Sequence, residues 1–416
     1  MKKLFSMVVM FLFVFTLSSC IDETEDPIVT DPNDDLPSDE TPIEEEYSIN
    51  ITIEIGDEVT GFHLVEGYEG TLFDVVNTHF DLTYSESEYG VFIISLEDLN
   101  PKNGSYIAIS ENGEMAMSGI DQLTLEDGDT FTFDIVWYDT VLQEIDEMIT
   151  LFLNHHIEKY INESFIDVNV LSALNLLGLE EEYIDDLDIA NMAMFDENTL
   201  ETTADYFKAV TMLSMLGYDV DALLNDYANT ASVGPYGETA YGLLVLQQSP
   251  ELYAELIDTF EQDLMNNTPV SLGLDAGGIS LVALADSDFE NRQSLIDEYV
   301  FWIEENQLDT GGVKTRDMVY GETTYPGTEN AASMAQVIIG LLANGIDPSG
   351  DALSVSGVSL ISRLLDFKTE DGAFDYLLDD DFDVDLMFST PQAFLAIVMY
   401  QEYKALGTSV HPYHID

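Results

Sequence analysis

Only a few stretches of this 416-residue chain place side chains where they could do chemistry. Asp381, Asp383 and Asp385 alternate along one acidic run, and alternate carboxylates can converge on a single Ca2+ ion. The run lacks the later glycine and distal glutamate of an EF-hand, so a solvated acidic loop is the competing reading. His155 and His156 fall on an early helix, and His411 and His414 lie in the tail. Each could offer an imidazole nitrogen to a metal, or simply be a surface or tail histidine. Gln336 is a polar residue inside an apolar field, and a buried amide needs partners, either a ligand or a neighbouring helix end. Asn330 opens the same segment. Glu238, Thr239, Asp275 and Gln392 stand at the starts of other apolar helices, where N-capping competes with ligand contact. No phosphate-binding loop, nucleophile elbow or metalloprotease helix accompanies them. The residues point to binding, with no catalytic residue among them.

Helices must position these groups. Thr328 to Pro348 begins with a polar cap, continues through small residues into the run Val337–Leu342, and stops at Asn344-Gly345. Glu201–Gly217, Gly237–Gln247, Leu274–Ala285 and Phe388–Ala405 follow the same plan. Longer amphipathic segments lie between them: Val220–Tyr227, Leu252–Met265, Glu290–Glu305 and Val358–Phe367. Small-residue helices alternating with amphipathic ones read as the inner and outer rings of an α/α toroid over residues 146–416. Residues 47–140 read differently. Alternating apolar and polar residues predict strands at Tyr47–Ile55, Phe80–Tyr84, Tyr89–Leu96, Gly104–Ile109 and Thr130–Trp137, with a short helix at Gly70–Val76 and a hairpin at Asn112-Gly113. The expected fold class is α+β and multidomain, a small mostly-β domain followed by the toroid.

The first 46 residues are of another kind. Lys2 and Lys3 precede an apolar run, Met7–Leu17, that ends in Leu17-Ser18-Ser19-Cys20. The run is short for a membrane span, and residues 1–20 resemble a lipoprotein signal peptide with its lipobox. Cys20, the only cysteine, would be lipidated and would hold the protein on the outer face of the bacterial cytoplasmic membrane, at the cell surface. Residues 21–46 are acidic and proline-rich and read as a disordered tether. Across the chain 81 acidic residues face 11 Lys plus Arg, a net charge of −70. That balance excludes nucleic acid as a partner, since phosphate binding needs cations.

In the β region, Gly70-Thr71-Leu72, Tyr89-Gly90, Gly104 with Tyr106, Asn112-Gly113, Gly119-Ile120-Asp121 and Asp127-Gly128-Asp129 occur in the order seen in the C-terminal β domain of transcobalamin and intrinsic factor. The toroid resembles that family too. Glu238-Thr239-Ala240 with the apolar run after it, Asn330-Ala331-Ala332 through Gln336-Val337-Ile338, and Thr390-Pro391-Gln392-Ala393 match its inner-helix starts. Turns at Asp309–Val313 and Glu370–Phe374 resemble those of terpenoid cyclase and prenyltransferase toroids. The resemblance implies that cobalamin or another corrinoid is bound as a small-molecule ligand between the two domains, with a membrane transporter as a further partner. Tyr89, Phe92, Tyr106, Ile107, Ile109 and Ser110 would cover one face of the ligand. Glu238, Thr239, Asp275, Asn330, Gln336 and Gln392 would hold the other. Two departures stand out: Ile107 replaces the family's tryptophan, and the β domain precedes the toroid. The two domains can face each other if the segment near Asp139–Glu147 bends back. Cyclase chemistry is not implied, because Asp383-Val384-Asp385-Leu386 lacks the last acid of the cyclase motif, and prenyltransferase zinc would need a cysteine. An adhesion or scaffold protein that binds a protein or glycan partner is the alternative.

Overall fold

The computed structural model describes residues 48–413, apart from 57, 66, 67, 88, 186, 236, 286, 322 and 379–385. The Cys20 anchor, the tether and the Asp381, Asp383, Asp385 run therefore lie outside the described residues. Among the described residues, no helix is long and apolar enough to cross a membrane.

The β domain is built from seven strands and one helix: β1 (Ser48–Ile55), β2 (Glu58–Val65), α1 (Leu72–His79), β3 (Leu82–Ser87), β4 (Gly90–Leu96), β5 (Ser105–Glu111), β6 (Glu114–Met115) and β7 (Thr130–Trp137). Five strands form one sheet in the order β2-β1-β7-β5-β6, with β1 and β7 parallel, while β3 and β4 pair as a separate hairpin. Period-two alternation turns Ile51, Ile53, Ile55, Phe131 and Phe133 to one face, and these pack with Leu72, Val76 and Leu96 into a core. The expected hairpin forms at Asn112-Gly113, both residues in the left-handed region that this tight turn requires.

Several of the spaced motifs prove to be braces for this fold. Asp127 accepts hydrogen bonds from the Asn50 backbone N–H and side-chain amide, both at 2.8 Å. Asp129 accepts from Glu126 N–H at 2.7 Å and from the Asn112 amide at 2.9 Å. Asp121 accepts from Val91 N–H at 3.2 Å, and so ties the loop before it to β4.

Among the described residues the helical region contains six inner helices: α3 (Val168–Leu177), α4 (Thr203–Met215), α6 (Glu238–Leu246), α8 (Leu274–Ala285), α10 (Ala331–Ala343) and α12 (Leu386–Leu406). Each packs on the next, and α12 packs back on α3, which closes the ring. Outside it lie α2 (Thr140–His155), α5 (Asp221–Thr230), α7 (Pro250–Asn266), α9 (Arg292–Asn306) and α11 (Leu360–Leu365). This is the expected α/α toroid. Small residues let the ring close. A Cβ on Gly278 of α8 would fall 2.4 Å from the Gln336 carbonyl oxygen of α10. In the turn before α12, a Cβ on Gly372 would meet the Phe152 backbone nitrogen at 2.5 Å. At the ring's edge Arg363 makes a forked pair with Glu329, at 2.8 and 2.9 Å.

Sequence reading found five inner helices and missed the sixth. α3 has only ten residues, two of them asparagines, yet it carries an Asp167 cap and a left-handed Gly178 stop. The joint between the domains is helical. Residues 139–147 make no returning loop. Asp139 caps α2 directly, accepting from Val141 and Leu142 N–H, and a sixteen-residue helix follows. Asp139 and Tyr138 donate their N–H groups to the Gly104 carbonyl. Lys102 pairs with Asp146, and the Asn103 amide donates to the Lys404 carbonyl. The β domain is thus fastened to α2 and to the C-terminal end of α12.

Candidate functional site

Two concave regions hold some of the predicted binding residues: Phe92, Tyr106, Ile107 and Ile109 in one, Gln336 and Gln392 in the other. The first is a groove of about 280 Å³ between β4 and the β5–β6 edge, lined by Val91, Phe92, Tyr106, Ile107, Ile109 and Met115, among others. Its walls are mostly apolar. Tyr89 is 84% exposed beside it and Phe92 56% exposed on its wall, a high exposure for aromatic rings. Strand register divides the β5 residues. Ile107 and Ile109 stand on the same face as Phe133, opposite Ile135 and Phe133, and Ile107 is packed into the core. Tyr106 and Ser110 stand on the other face. Ile107 therefore offers little outward surface.

The second region is the mouth of the toroid, at the N-terminal ends of the inner helices. A recess of about 270 Å³ opens there, lined from α3 (Asp167, Asn169), α4 (Phe207, Lys208), α6 (Tyr241), α10 (Gln336) and α12 (Phe388, Gln392). Its floor is Tyr413. The tail passes up through the ring from the opposite end: Val410 N–H donates to the Leu342 carbonyl at 3.1 Å, and the His411 ring nitrogen lies 3.3 Å from the Val282 carbonyl oxygen. Tyr413 then donates to the Asn169 side-chain oxygen at 3.1 Å, and its ring meets Phe207 edge-on at 5.0 Å. Burial pushes the Tyr413 hydroxyl pKa well up, with Tyr241 and Asp167 adding to the shift. His411 is thus bound into the ring, and His156 is buried beside Asp371 at 3.2 Å. His414 lies outside the described residues.

Polar groups at the mouth differ in how well they are satisfied. Asp167 is occupied as the α3 cap, accepting from Asn169 N–H at 2.9 Å and Val170 N–H at 3.2 Å. Burial raises its pKa, while those hydrogen bonds and Lys208 pull it back. Asp275, in the first turn of α8, reaches solvent yet is walled by protein. Burial raises its pKa, and a Ser333 hydrogen bond partly offsets the shift. Burial raises the pKa values of Tyr241 and Tyr376, and the charge of Asp275 adds to both shifts. Gln336 is 7% exposed and its amide nitrogen has no partner. Asn330 caps α10 by accepting from Ser333 N–H at 2.8 Å, and its own amide nitrogen is likewise unpartnered and fully buried.

The remaining predicted residues are placed as follows. Thr239 is buried, with its hydroxyl 2.7 Å from an Asp263 carboxylate oxygen. Glu238 is exposed in the first turn of α6. Gln392 does not begin its helix; α12 starts at Leu386, so Gln392 faces the recess from the second turn. Phe207, Tyr241, Ser333, Tyr376 and Tyr413 were not singled out from sequence. Only the aromatic content of the inner-helix starts could have marked the first two.

The structure gathers β-domain residues around the groove and Gln336 with Gln392 at the mouth, and the two concavities are lined by separate sets of residues. Lys404, where the β domain is fastened, is twelve residues along α12 from Gln392, about 18 Å at the helical rise.

The fold defines a small mostly-β domain joined to an α/α toroid. Within the β domain, residues 69–137 match the family model described as a domain of unknown function, DUF4430. No curated protein matches the chain. Among solved structures, a Ruminococcus gnavus protein described as a candidate metal binding protein is similar over 22% of this chain and 98% of its own, at 23% identity and a TM-score of 0.19. A type II terpene cyclase from Scytonema, in complex with geranylgeranyl dihydroxybenzoate, covers 63% of this chain and 99% of its own, at 13% identity and a TM-score of 0.42. The same cyclase without ligand gives 12% identity and a TM-score of 0.41 over 63% of this chain and 99% of its own.

Proposed function

We propose that this is a non-catalytic binding protein, held at the cell surface through lipidated Cys20, that takes cobalamin or a related corrinoid and presents it to a membrane transporter. One observation carries the reading: the β-domain groove, with Phe92 on its wall and exposed Tyr89 beside it, is an open apolar surface shaped by the strands that the transcobalamin resemblance assigns to the ligand. A flat macrocycle needs such a surface. The groove, about 280 Å³, and the toroid mouth, about 270 Å³, are equally small, and the exposed rings of Tyr89 and Phe92 make the groove the principal contact of this reading. Gln336 and Gln392 would contribute the second wall only in an arrangement that brings the mouth to the groove. Asp381, Asp383 and Asp385 remain a proposed Ca2+ site. The same exposed aromatic groove favours the adhesion alternative, since an open apolar patch also suits a protein or glycan partner.

The test is a visible-absorbance and calorimetric titration of the full-length chain, in a maltoside detergent, with cobalamin and cobinamide. Saturable one-to-one binding is expected. Phe92→Ala should weaken it by about tenfold while shifting stability by no more than ~0.5 kcal/mol, because the ring is exposed. If neither corrinoid binds, the carrier reading fails and partner capture on the Tyr89–Phe92 patch tests the adhesion reading.

A further inference from the structure

We propose that the recess at the toroid mouth is a separate binding site for one neutral sugar ring, with the sugar hydroxyls on the Gln336 and Gln392 amides and the Asp167 carboxylate, and its carbon face on Phe388. All four residues line the same concavity of about 270 Å³. Its aromatic wall is continuous: the Tyr413 ring meets Phe207 edge-on at 5.0 Å, and the Phe207 and Tyr241 ring centroids lie 4.9 Å apart. Phe388 packs on Tyr376 with ring centroids 5.9 Å apart, yet it is 58% exposed and so keeps surface free for an occupant.

The observation that calls for a ligand is an unpaired donor. Gln336 is more than nine-tenths buried, lines the recess, and leaves its amide nitrogen without a partner. A buried donor in that state costs stability, and an acceptor brought by an occupant recovers it. The nitrogen is closed off from water, but the terminal torsion of a glutamine side chain is soft, so turning the amide presents the donor to the recess.

The chemistry selects a neutral, hydroxylated molecule. The walls carry both signs, Lys208 and Asp167, so an anion would meet the carboxylate and a cation would meet the ammonium group. A purely apolar molecule would leave the Gln336 donor unpaired. A hydroxyl both donates and accepts, and the recess offers both complements: amide donors on Gln336 and Gln392, and an acceptor on Asp167. The Asn169 and Val170 N–H groups both donate to one Asp167 oxygen, Oδ1, and a carboxylate has about four acceptor positions, so capacity remains. The C–H groups of a sugar ring, polarised by its oxygens, suit the negative faces of aromatic rings. Tyr413, bonded to Asn169, closes the axis below, so the site takes one ring or the terminal ring of a glycan.

The experiment is a calorimetric titration of the full-length chain with the methyl pyranosides of glucose, galactose and mannose, in a polyoxyethylene ether detergent, which has no sugar head group. At least one should bind saturably, with a Kd of about a millimolar. Its uronate, the same ring with one carboxylate, should bind about tenfold weaker or more. Phe388→Ala and Gln392→Ala, both at side chains that reach solvent, should each weaken the sugar about tenfold and leave the melting temperature unchanged. Gln336→Met should abolish saturable binding without lowering the melting temperature, because it removes an unpaired polar group. No saturable binding of any of the three sugars, equal binding of the uronate, or unchanged affinity in all three variants would overturn the proposal. The corrinoid titration reads the groove through Phe92→Ala and the sugar titration reads the recess through Phe388→Ala, so either proposal can fail alone.

Discussion

Around the β-domain groove, Tyr89, Phe92 and Met115 stand largely in solvent, and the nearby core of Ile53, Phe131 and Phe133 closes without them. Around the toroid mouth, Phe207, Tyr413 and Gln336 are buried members of the ring interior. The groove is a surface laid over a finished core, whereas the mouth is the open end of the core. Side chains at the groove can change with little effect on folding, so they are free to follow a ligand. Side chains at the mouth are constrained twice, by packing and by whatever they bind.

The largest effect should come from the seam under the mouth. Gly278→Val puts branched carbon where a single Cβ would already lie 2.4 Å from the Gln336 carbonyl oxygen. Overpacking of this kind costs about 1–3 kcal/mol and more where backbone must move, so a loss of ~3 kcal/mol or greater is expected in denaturant titration. A loss no larger than that of Phe92→Ala would dissolve the contrast between the two regions. Next comes Tyr413→Ala. Removing this ring at the end of the tail should cost about 3 kcal/mol, the lower end for a buried aromatic side chain, read as a fall in melting temperature. An unchanged melt would show that the tail does not plug the ring in solution.

The smallest effect sharpens the comparison through pH. Because burial raises the folded-state pKa of Asp275, the unfolded chain loses its proton first, and stability falls as pH rises from the unfolded carboxylate value through the raised folded one. Asp275→Asn removes that cost. It should therefore raise the melting temperature modestly at neutral pH and lose the advantage below about pH 3.9. An equal gain at both pH values would locate the effect outside the titration.

How much of this was legible in the sequence follows from the same contrast. Small residues leading into apolar runs announced five inner helices, because ring closure demands both. α3 escaped because its ten residues hold two asparagines and its apolar stretch is brief. Strand alternation revealed the β domain, and the spaced aspartates were recognisable, although Asp121, Asp127 and Asp129 serve to brace turns. Gln336 stood out as polar in an apolar field. Tyr413 could not, since nothing local to His411–Tyr413 says that it will be drawn into a ring whose helices lie far upstream. The joint was not legible for a related reason: only the packing of α2 on α12 shows that the chain runs straight into a helix there.

The threaded tail has a consequence for how the molecule reaches its shape. The hydrogen bond from Tyr413 to Asn169 joins positions 244 residues apart, and closing the ring through α12 and α3 joins helices almost as distant. Contacts of such long range must overcome loop-closure entropy before they return any stability, which slows the search. During synthesis the first helices emerge long before their closing partner and must wait with apolar faces uncovered. The seal beneath the mouth is therefore among the last contacts to form, and until it forms the axis of the ring is open to water.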